Sequence, residues 1–129
     1  MNVRLRDGLP FVDAKLVYQN KKLDLHNVLL DTGSSGTVFA AEKVTTIGLF
    51  QEPQDPIRQI RGVGGHEFVF VRQVESISVG SLNAKDFEIE IGDMFYGIEI
   101  DGIVGVDFLL STNAIIDLSK LEIRKEIQQ

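Results

Sequence analysis

The residues best placed to do chemistry lie together near the start of the chain. The apolar run Val28-Leu29-Leu30 drives into Asp31-Thr32-Gly33, a small-residue turn Ser34-Ser35-Gly36 follows, and Thr37-Val38-Phe39 leaves it. A carboxylate at the end of a buried strand is costly unless its surroundings use it. One chemistry that uses it is hydrolysis by a water held between two carboxylates, with neither a metal nor a nucleophilic side chain. Like charges about 3 Å apart do not both ionise cheaply, so such a pair shares one proton. The ionised member takes a proton from water as the water attacks a carbonyl, and the protonated member hydrogen-bonds the carbonyl oxygen. Gly33 lets backbone and substrate approach closely, and the Thr32 hydroxyl is placed to lock the loop by hydrogen bonding. The motif occurs once, so this chemistry would need its second carboxylate from a partner chain.

The elements that must position these residues read mostly as strands. Pro10 to Tyr18 is rich in β-formers, Gln19 to Lys22 is a polar turn, and Leu23-Asp24-Leu25-His26 alternates before running into Val28-Leu29-Leu30, so the two segments predict a hairpin whose second strand enters the core. Ala40 to Gly48 predicts a short helix stopped by glycine, and Gln51 to Pro56 a loop. Ile57 to Arg61 and Glu67 to Val74 predict a second hairpin with the glycine-rich tip Gly62-Val63-Gly64-Gly65. Ser76 to Val79 reads as a further strand leading to a turn at Gly80 to Asn83. Phe87-Glu88-Ile89-Glu90-Ile91 alternates throughout, which predicts one buried face and sends Glu88 and Glu90 to water. Gly102-Ile103-Val104-Gly105 reads as an apolar strand, Asp107 to Thr112 as a short helix, and Ala114 to Ile123 as a closing hairpin. Short strands punctuated by glycine turns imply an all-β barrel or sandwich.

Composition narrows the partners. The chain has 129 residues and a net charge of −6. That length fits one domain over residues 1–129 with a real core. The acidity argues against nucleic acid, which rewards a clustered basic surface, and against a membrane reached through a basic patch. No apolar stretch has membrane-spanning length and no cleavage pattern stands at the N-terminus, so a cytoplasmic protein is expected. Without cysteine, and with two histidines, disulfides and thiolate chemistry are excluded and little remains for a metal. No cofactor is expected.

Three blocks in order resemble the retropepsin-like aspartic proteases, the single-domain retroviral-type enzymes and their bacterial and cellular relatives. They are Leu29 to Ser35, then Gln59 to Gly65 with the strand ending Val71-Arg72-Gln73, and Gly102 to Leu110. The resemblance implies a closed β-barrel with a flap hairpin and one or two short helices. It implies a homodimer acting as an aspartic endopeptidase on peptide or protein substrates, with a single site on its two-fold axis. Asp31 of each chain would form the dyad, Thr32 would hydrogen-bond across the dimer beneath it, and Gly33 would offer its carbonyl to substrate. Ser34 and Ser35 would line the substrate site, and Gly62, Val63, Gly64 and Gly65 would close over it. The chain departs from retroviral enzymes, which often carry an acidic residue where Ser35 stands and an arginine in the helix near Val106, so that their ion pair is missing; the Gly105-Val106-Asp107-Phe108-Leu109 form is nearer the bacterial and cellular relatives. Arg61 is a bulky charge beside the flap turn, directed at substrate or water.

Other readings of the same residues exist. Asp107 is a tempting second acid, but the resemblance places it at a helix start, where an aspartate is favoured electrostatically. Asp101, Asp117, Glu88 and Glu90 read as structural or solvated, and His26 and His66 form no spacing motif. The main competing function is an inactive module of the same fold that binds peptide or only dimerises. A domain cut from a larger protein and one lobe of a two-lobed enzyme fit less well. Ser34, just past the motif, is placed to donate its hydroxyl to Asp31. The ends, Val3 to Leu5 and Leu121 to Ile127, read as strands without an obvious partner inside the barrel, and unpaired edges invite pairing across an interface.

Overall fold

In a computed structural model, which describes residues 2–62, 65–94 and 98–127, the alternating segments pair much as their patterns require. Strands β1 (Arg4–Arg6), β2 (Leu9–Tyr18) and β3 (Lys21–Leu30) form an antiparallel meander. Gln19 and Asn20 turn β2 into β3 with φ of 49° and 66°, the left-handed pair that suits the strand twist in a two-residue hairpin. Strand β4 (Val38–Ala40) leads into a one-turn helix α1 (Ala41–Val44) and a 3₁₀ turn at Thr45–Ile47, which Gly48 ends at φ 84°. Strands β5 (Ile57–Gly62), β6 (Gly65–Val79) and β7 (Leu82–Gly92) form the second meander. Strand β8 (Gly102–Val104), helix α2 (Val106–Ser111) and the hairpin of β9 (Ala114–Asp117) and β10 (Glu122–Lys125) complete the chain.

The two meanders join through β8 and β4. Strand β8 pairs parallel with β3 on one side and antiparallel with β4 on the other, and β4 pairs parallel with β7. A pairing of β2 with β6, Leu16 opposite Ile77, closes the circuit β2-β3-β8-β4-β7-β6. The all-β class expected from the sequence is the class observed.

Inside this ring lies a core of Val12, Leu16, Leu25, Phe39, Ile89 and Phe108, each almost wholly buried. A second, smaller cluster of Phe11, Leu29, Val38, Val69, Ile100 and Ile103 covers the other face of the same strands, its members alternating with those of the first core, and Ile60 of β5 packs on it. Val38, Ile60 and Ile103 of this cluster line the cleft that holds Asp31. Each fully buried side chain of this kind contributes about 1.5–3 kcal/mol of transfer free energy.

Three expectations need correction. Strand β6 runs unbroken through Ser76–Val79, because β2 and β7 both pair with that stretch. The N-terminal segment has a partner in its own chain: Arg4 to Arg6 pair with Phe11 to Leu9. Val3 is buried and donates its amide to the Leu121 carbonyl (3.0 Å), and the Asn2 side chain bonds both the amide and the carbonyl of Ile123. Glu90 is 7% exposed and not in water. Strict alternation predicts a wet face only when one side of a sheet is open, and here the Glu90 side chain is covered by Gly36 of the Asp31 loop and by Arg58 of β5.

Candidate active site

The loop from Asp31 to Thr37 carries the chain from β3 around the end of β8 and back along its other edge as β4. Its backbone is bound at nearly every step. Asp31 donates its amide to the Val104 carbonyl (3.0 Å), Ser34 to the Asp31 carbonyl (3.1 Å), and Val106 to the Ser34 carbonyl (2.8 Å). The Thr37 carbonyl accepts the Glu90 amide at 2.9 Å. Thr37 is buried, and its hydroxyl donates to Asp107 Oδ1 (2.7 Å) while accepting the Gly105 amide (3.2 Å). Asp107 also accepts its neighbour Phe108's amide at 2.8 Å, so it is a brace for the loop at the start of α2 rather than a second acid, in line with the sequence reading.

Gly105 is required by this arrangement. A Cβ there would lie 2.2 Å from the Gly36 carbonyl oxygen and 2.7 Å from that of Ser34, so only glycine lets α2 begin against the loop. Gly102 performs a similar service for the Phe39 ring, which a Cβ would meet at 2.5 Å.

Asp31 sits half-buried at the edge of a cleft of about 520 Å³. Its Oδ1 accepts the Gly33 amide at 2.9 Å, and no other group among the described residues bonds the carboxylate. The cleft is lined by Gly33, Ser34, Ser35 and Gly36 from the loop, by Val38 and Ile103 from its floor, by Gln59, Ile60 and Arg61 from β5, and by Glu90. The structure thus brings Asp31, Gly33, Ser34 and Ser35 into one cavity with the arm of the expected flap. Thr32 is exposed and its hydroxyl makes no hydrogen bond among the described residues. Gly62 and Gly65 close the β5–β6 ladder as its last pair, with Gly65 at φ 97°; Val63 and Gly64 lie outside the described residues. Gly65 thus has a left-handed backbone, while Gly62 ends an ordinary strand.

The Ser34 hydroxyl does not reach the carboxylate. It donates to the Gly36 carbonyl at 2.7 Å and tightens the turn instead. His26 faces Asp13 at 3.4 Å on the exposed surface, and Asp101 and Asp117 serve backbone and basic partners. Four residues of the site escaped the sequence reading: Gly36, Thr37, Arg58 and Glu90. Thr37 had a faint signal, a hydroxyl just ahead of a buried apolar strand. Glu90 had none, because its cover comes from distant segments, Gly36 of the loop and Arg58 of β5.

Glu90 is an acid displaced from its ordinary range. Burial pushes its pKa up from 4.5, opposed by the hydrogen bond and charge of Arg58 and reinforced by Asp107 and Glu88. Arg58 Nη1 lies 3.3 Å from Glu90 Oε2, while its Nη2 lies 2.8 Å from Glu88.

A family model described as aspartyl protease matches residues 16–108. Among solved structures the chain is similar to a retropepsin-like aspartic protease from Rickettsia conorii, with a TM-score of 0.62 and 21% identity over 89% of this chain and 81% of that one; at that identity the likeness speaks for the fold. A comparison with curated proteins finds no match. The matched residues include the Asp31 loop, both arms of the β5–β6 hairpin and the brace from Gly102 to Phe108, and with them the chain belongs to the aspartyl protease family and has the retropepsin-like fold.

Proposed function

We propose that the protein is an aspartic endopeptidase active as a homodimer, with Asp31 of two copies meeting at one site. The observation that carries this reading is the state of Asp31 in the single chain. Its loop is pinned, its carboxylate accepts one amide of its own turn, and the remainder of the group is open to the cleft. That is a half-site: one carboxylate has nothing with which to share a proton. A second copy supplies it, and the pair then holds one proton and one water. The ionised carboxylate takes a proton from the water as it attacks the peptide carbonyl, and the protonated one hydrogen-bonds the carbonyl oxygen as charge develops. Gly33 offers its carbonyl to the substrate backbone, Ser34 and Ser35 form the wall beside it, exposed Thr32 bonds its counterpart beneath the dyad, and the hairpin tip at residues 62–65 closes over the peptide. Exposed Leu5 and Ile127 at the chain ends support association, although the terminal strands already have partners within the chain.

The test is cleavage of a peptide library by the purified protein, with and without pepstatin, against Asp31→Asn. Pepstatin-sensitive turnover that vanishes in Asp31→Asn, with melting unchanged or slightly raised, is expected. Specific activity should fall on dilution in step with dimer dissociation followed by sedimentation. Turnover unaffected by Asp31→Asn, or constant specific activity in a monomeric sample, would refute the shared dyad. A folded dimer that binds peptides and cleaves none would leave a binding module of the same fold.

A further inference from the structure

The cleft contains a second carboxylate that the hydrolytic chemistry does not use. Glu90 is more than nine-tenths buried, yet it lines the cavity together with Asp31. Its Oε2 meets Arg58 at 3.3 Å, a long contact, and Arg58 is held more closely by Glu88 at 2.8 Å. Its Oε1 lies against Gly36, 2.5 Å from where a Cβ would stand, and accepts no hydrogen bond among the described residues. Every wholly enclosed side-chain oxygen or nitrogen among the described residues does have a partner, so Oε1 is reached through the cleft. Gly36 is what clears the space in front of it. A carboxylate with a spare oxygen at the bottom of a low-dielectric pocket is a strong acceptor for a cationic donor. Of the three charged side chains that line the cavity, two are acidic, Asp31 and Glu90, and one, Arg61, is basic.

We infer that Glu90 forms a subsite that selects a lysine or arginine side chain of the bound peptide, with Gly36 giving access and Arg58 as the cation it displaces. The subsite rests on the peptide-cleaving reading of the cleft and adds the substrate class to it. The substrate's ammonium or guanidinium inserts beside Gly36 and bonds Oε1, and Arg58 is left to its contact with Glu88. Val38 and Ile103 supply the apolar walls against which the methylene stem of such a side chain packs.

The test measures binding and cleavage separately. A hexapeptide series of alanine and phenylalanine carries lysine, norleucine or glutamine at each position in turn. Binding is measured by titration calorimetry to the Asp31→Asn chain, alone and combined with Glu90→Gln or Arg58→Met. One peptide position is expected at which lysine binds about tenfold more tightly than norleucine or glutamine, a charge-assisted bond's worth of discrimination. Glu90→Gln should abolish that preference, whereas Arg58→Met, by removing the competing cation, should enlarge it. The inference is overturned if no position favours lysine, if no peptide binds at all, if glutamine binds as well as lysine, if the preference survives Glu90→Gln, or if Arg58→Met weakens it. Cleavage of the same peptides by the unsubstituted chain reads the other question. Hydrolysis without a lysine preference leaves the endopeptidase and removes the subsite. A Glu90-dependent preference without hydrolysis leaves the subsite and removes the endopeptidase.

Discussion

Between Asp31 and Thr37 the chain is tied to β8, α2 and β7, whereas the last described pairs of the β5–β6 hairpin are joined to each other. The loop's ties are long-range: Val104, Gly105, Val106, Asp107 and Glu90 all bond it. The hairpin's last pairs, Arg61 with His66 and Gly62 with Gly65, belong to one local ladder with exposed side chains at Arg61 and His66. Free energy of local opening follows such differences in buried contact and bonding. The contrast suits the proposed division of labour, in which the dyad must be held within a fraction of an ångström and the cover must lift to admit a peptide. It predicts that glycine and hydroxyl substitutions in the loop act on stability, and those in the hairpin tip on turnover.

The largest effect is expected at Gly105. Gly105→Ala places a methyl 2.2 Å from one backbone oxygen and 2.7 Å from another, and neither can move without breaking the Val106–Ser34 bond or unseating α2. A loss of about 4 kcal/mol or outright failure to fold is expected. Urea unfolding of the variant decides it; a change under about 1 kcal/mol would show that the loop and α2 separate easily.

Thr37→Val comes next. It keeps the volume and removes the hydroxyl, leaving the buried Gly105 amide unbonded and Asp107 short of one donor. The expected cost is about 1–3 kcal/mol, with kcat reduced because Asp31 rides on the same loop. Thr37→Ser should restore most of both. If Thr37→Val is as stable and active as Thr37→Ser, the brace contributes nothing beyond packing.

The sequence disclosed the position of the loop better than its fastening. Asp31-Thr32-Gly33 was legible because motif and strand pattern are contiguous, and the β2–β3 and β5–β6 hairpins because their turns are local. What could not be read was anything set by pairing between distant segments. Thr37 and Asp107 meet across 70 positions, and Glu90 is covered by Gly36 and Arg58, both far from it in sequence. Val3 and Leu5 looked unpaired because the tight turn at Asp7 and Gly8, with φ of 53° and 77°, returns so short a strand onto β2. The Ser34 hydroxyl was close to Asp31 in sequence, but the turn aims it at the Gly36 carbonyl.

For the hairpin the useful comparison is between two glycines that share a left-handed backbone. Gly65 (φ 97°) lies at the tip and Gly80 (φ 56°) in the β6–β7 turn, where a Cβ would also press on Asn2 at 2.9 Å. Gly65→Ala strains the tip by about 1–2 kcal/mol, so melting should fall by no more than a few degrees, less than in Gly80→Ala with its added contact, while turnover falls about tenfold through a misplaced cover. Gly80→Ala should lower melting and leave turnover alone. Equal behaviour of the two would make the tip an ordinary turn.

The smallest effect separates two acids of opposite sign. Asp55 is held below 3.8, first by its hydrogen bond from Arg72 at 2.5 Å, then by the Glu52 amide and the Arg72 charge, against burial. Glu90 is pushed above 4.5, first by burial, with Arg58 opposing. Linkage gives the directions. The unfolded chain binds the Asp55 proton more tightly than the folded one, so that contribution to stability is present above 3.8 and is lost as pH falls through the depressed value. The folded chain binds the Glu90 proton more tightly, so its contribution is present below 4.5 and is lost as pH rises through the raised value. Urea midpoints for the parent, Glu90→Gln and Asp55→Asn, taken from about pH 3 to about pH 7, should show Glu90→Gln gaining on the parent only as pH rises past 4.5. Asp55→Asn should lose on it only above the acid limb. Net charge nears zero around pH 4.8, so monodispersity must be checked there. The lysine preference of the cleft should follow the same Glu90 ionisation, growing as pH rises and fading in acid. A preference that is flat across the range in which Glu90→Gln diverges from the parent would separate Glu90's charge from recognition.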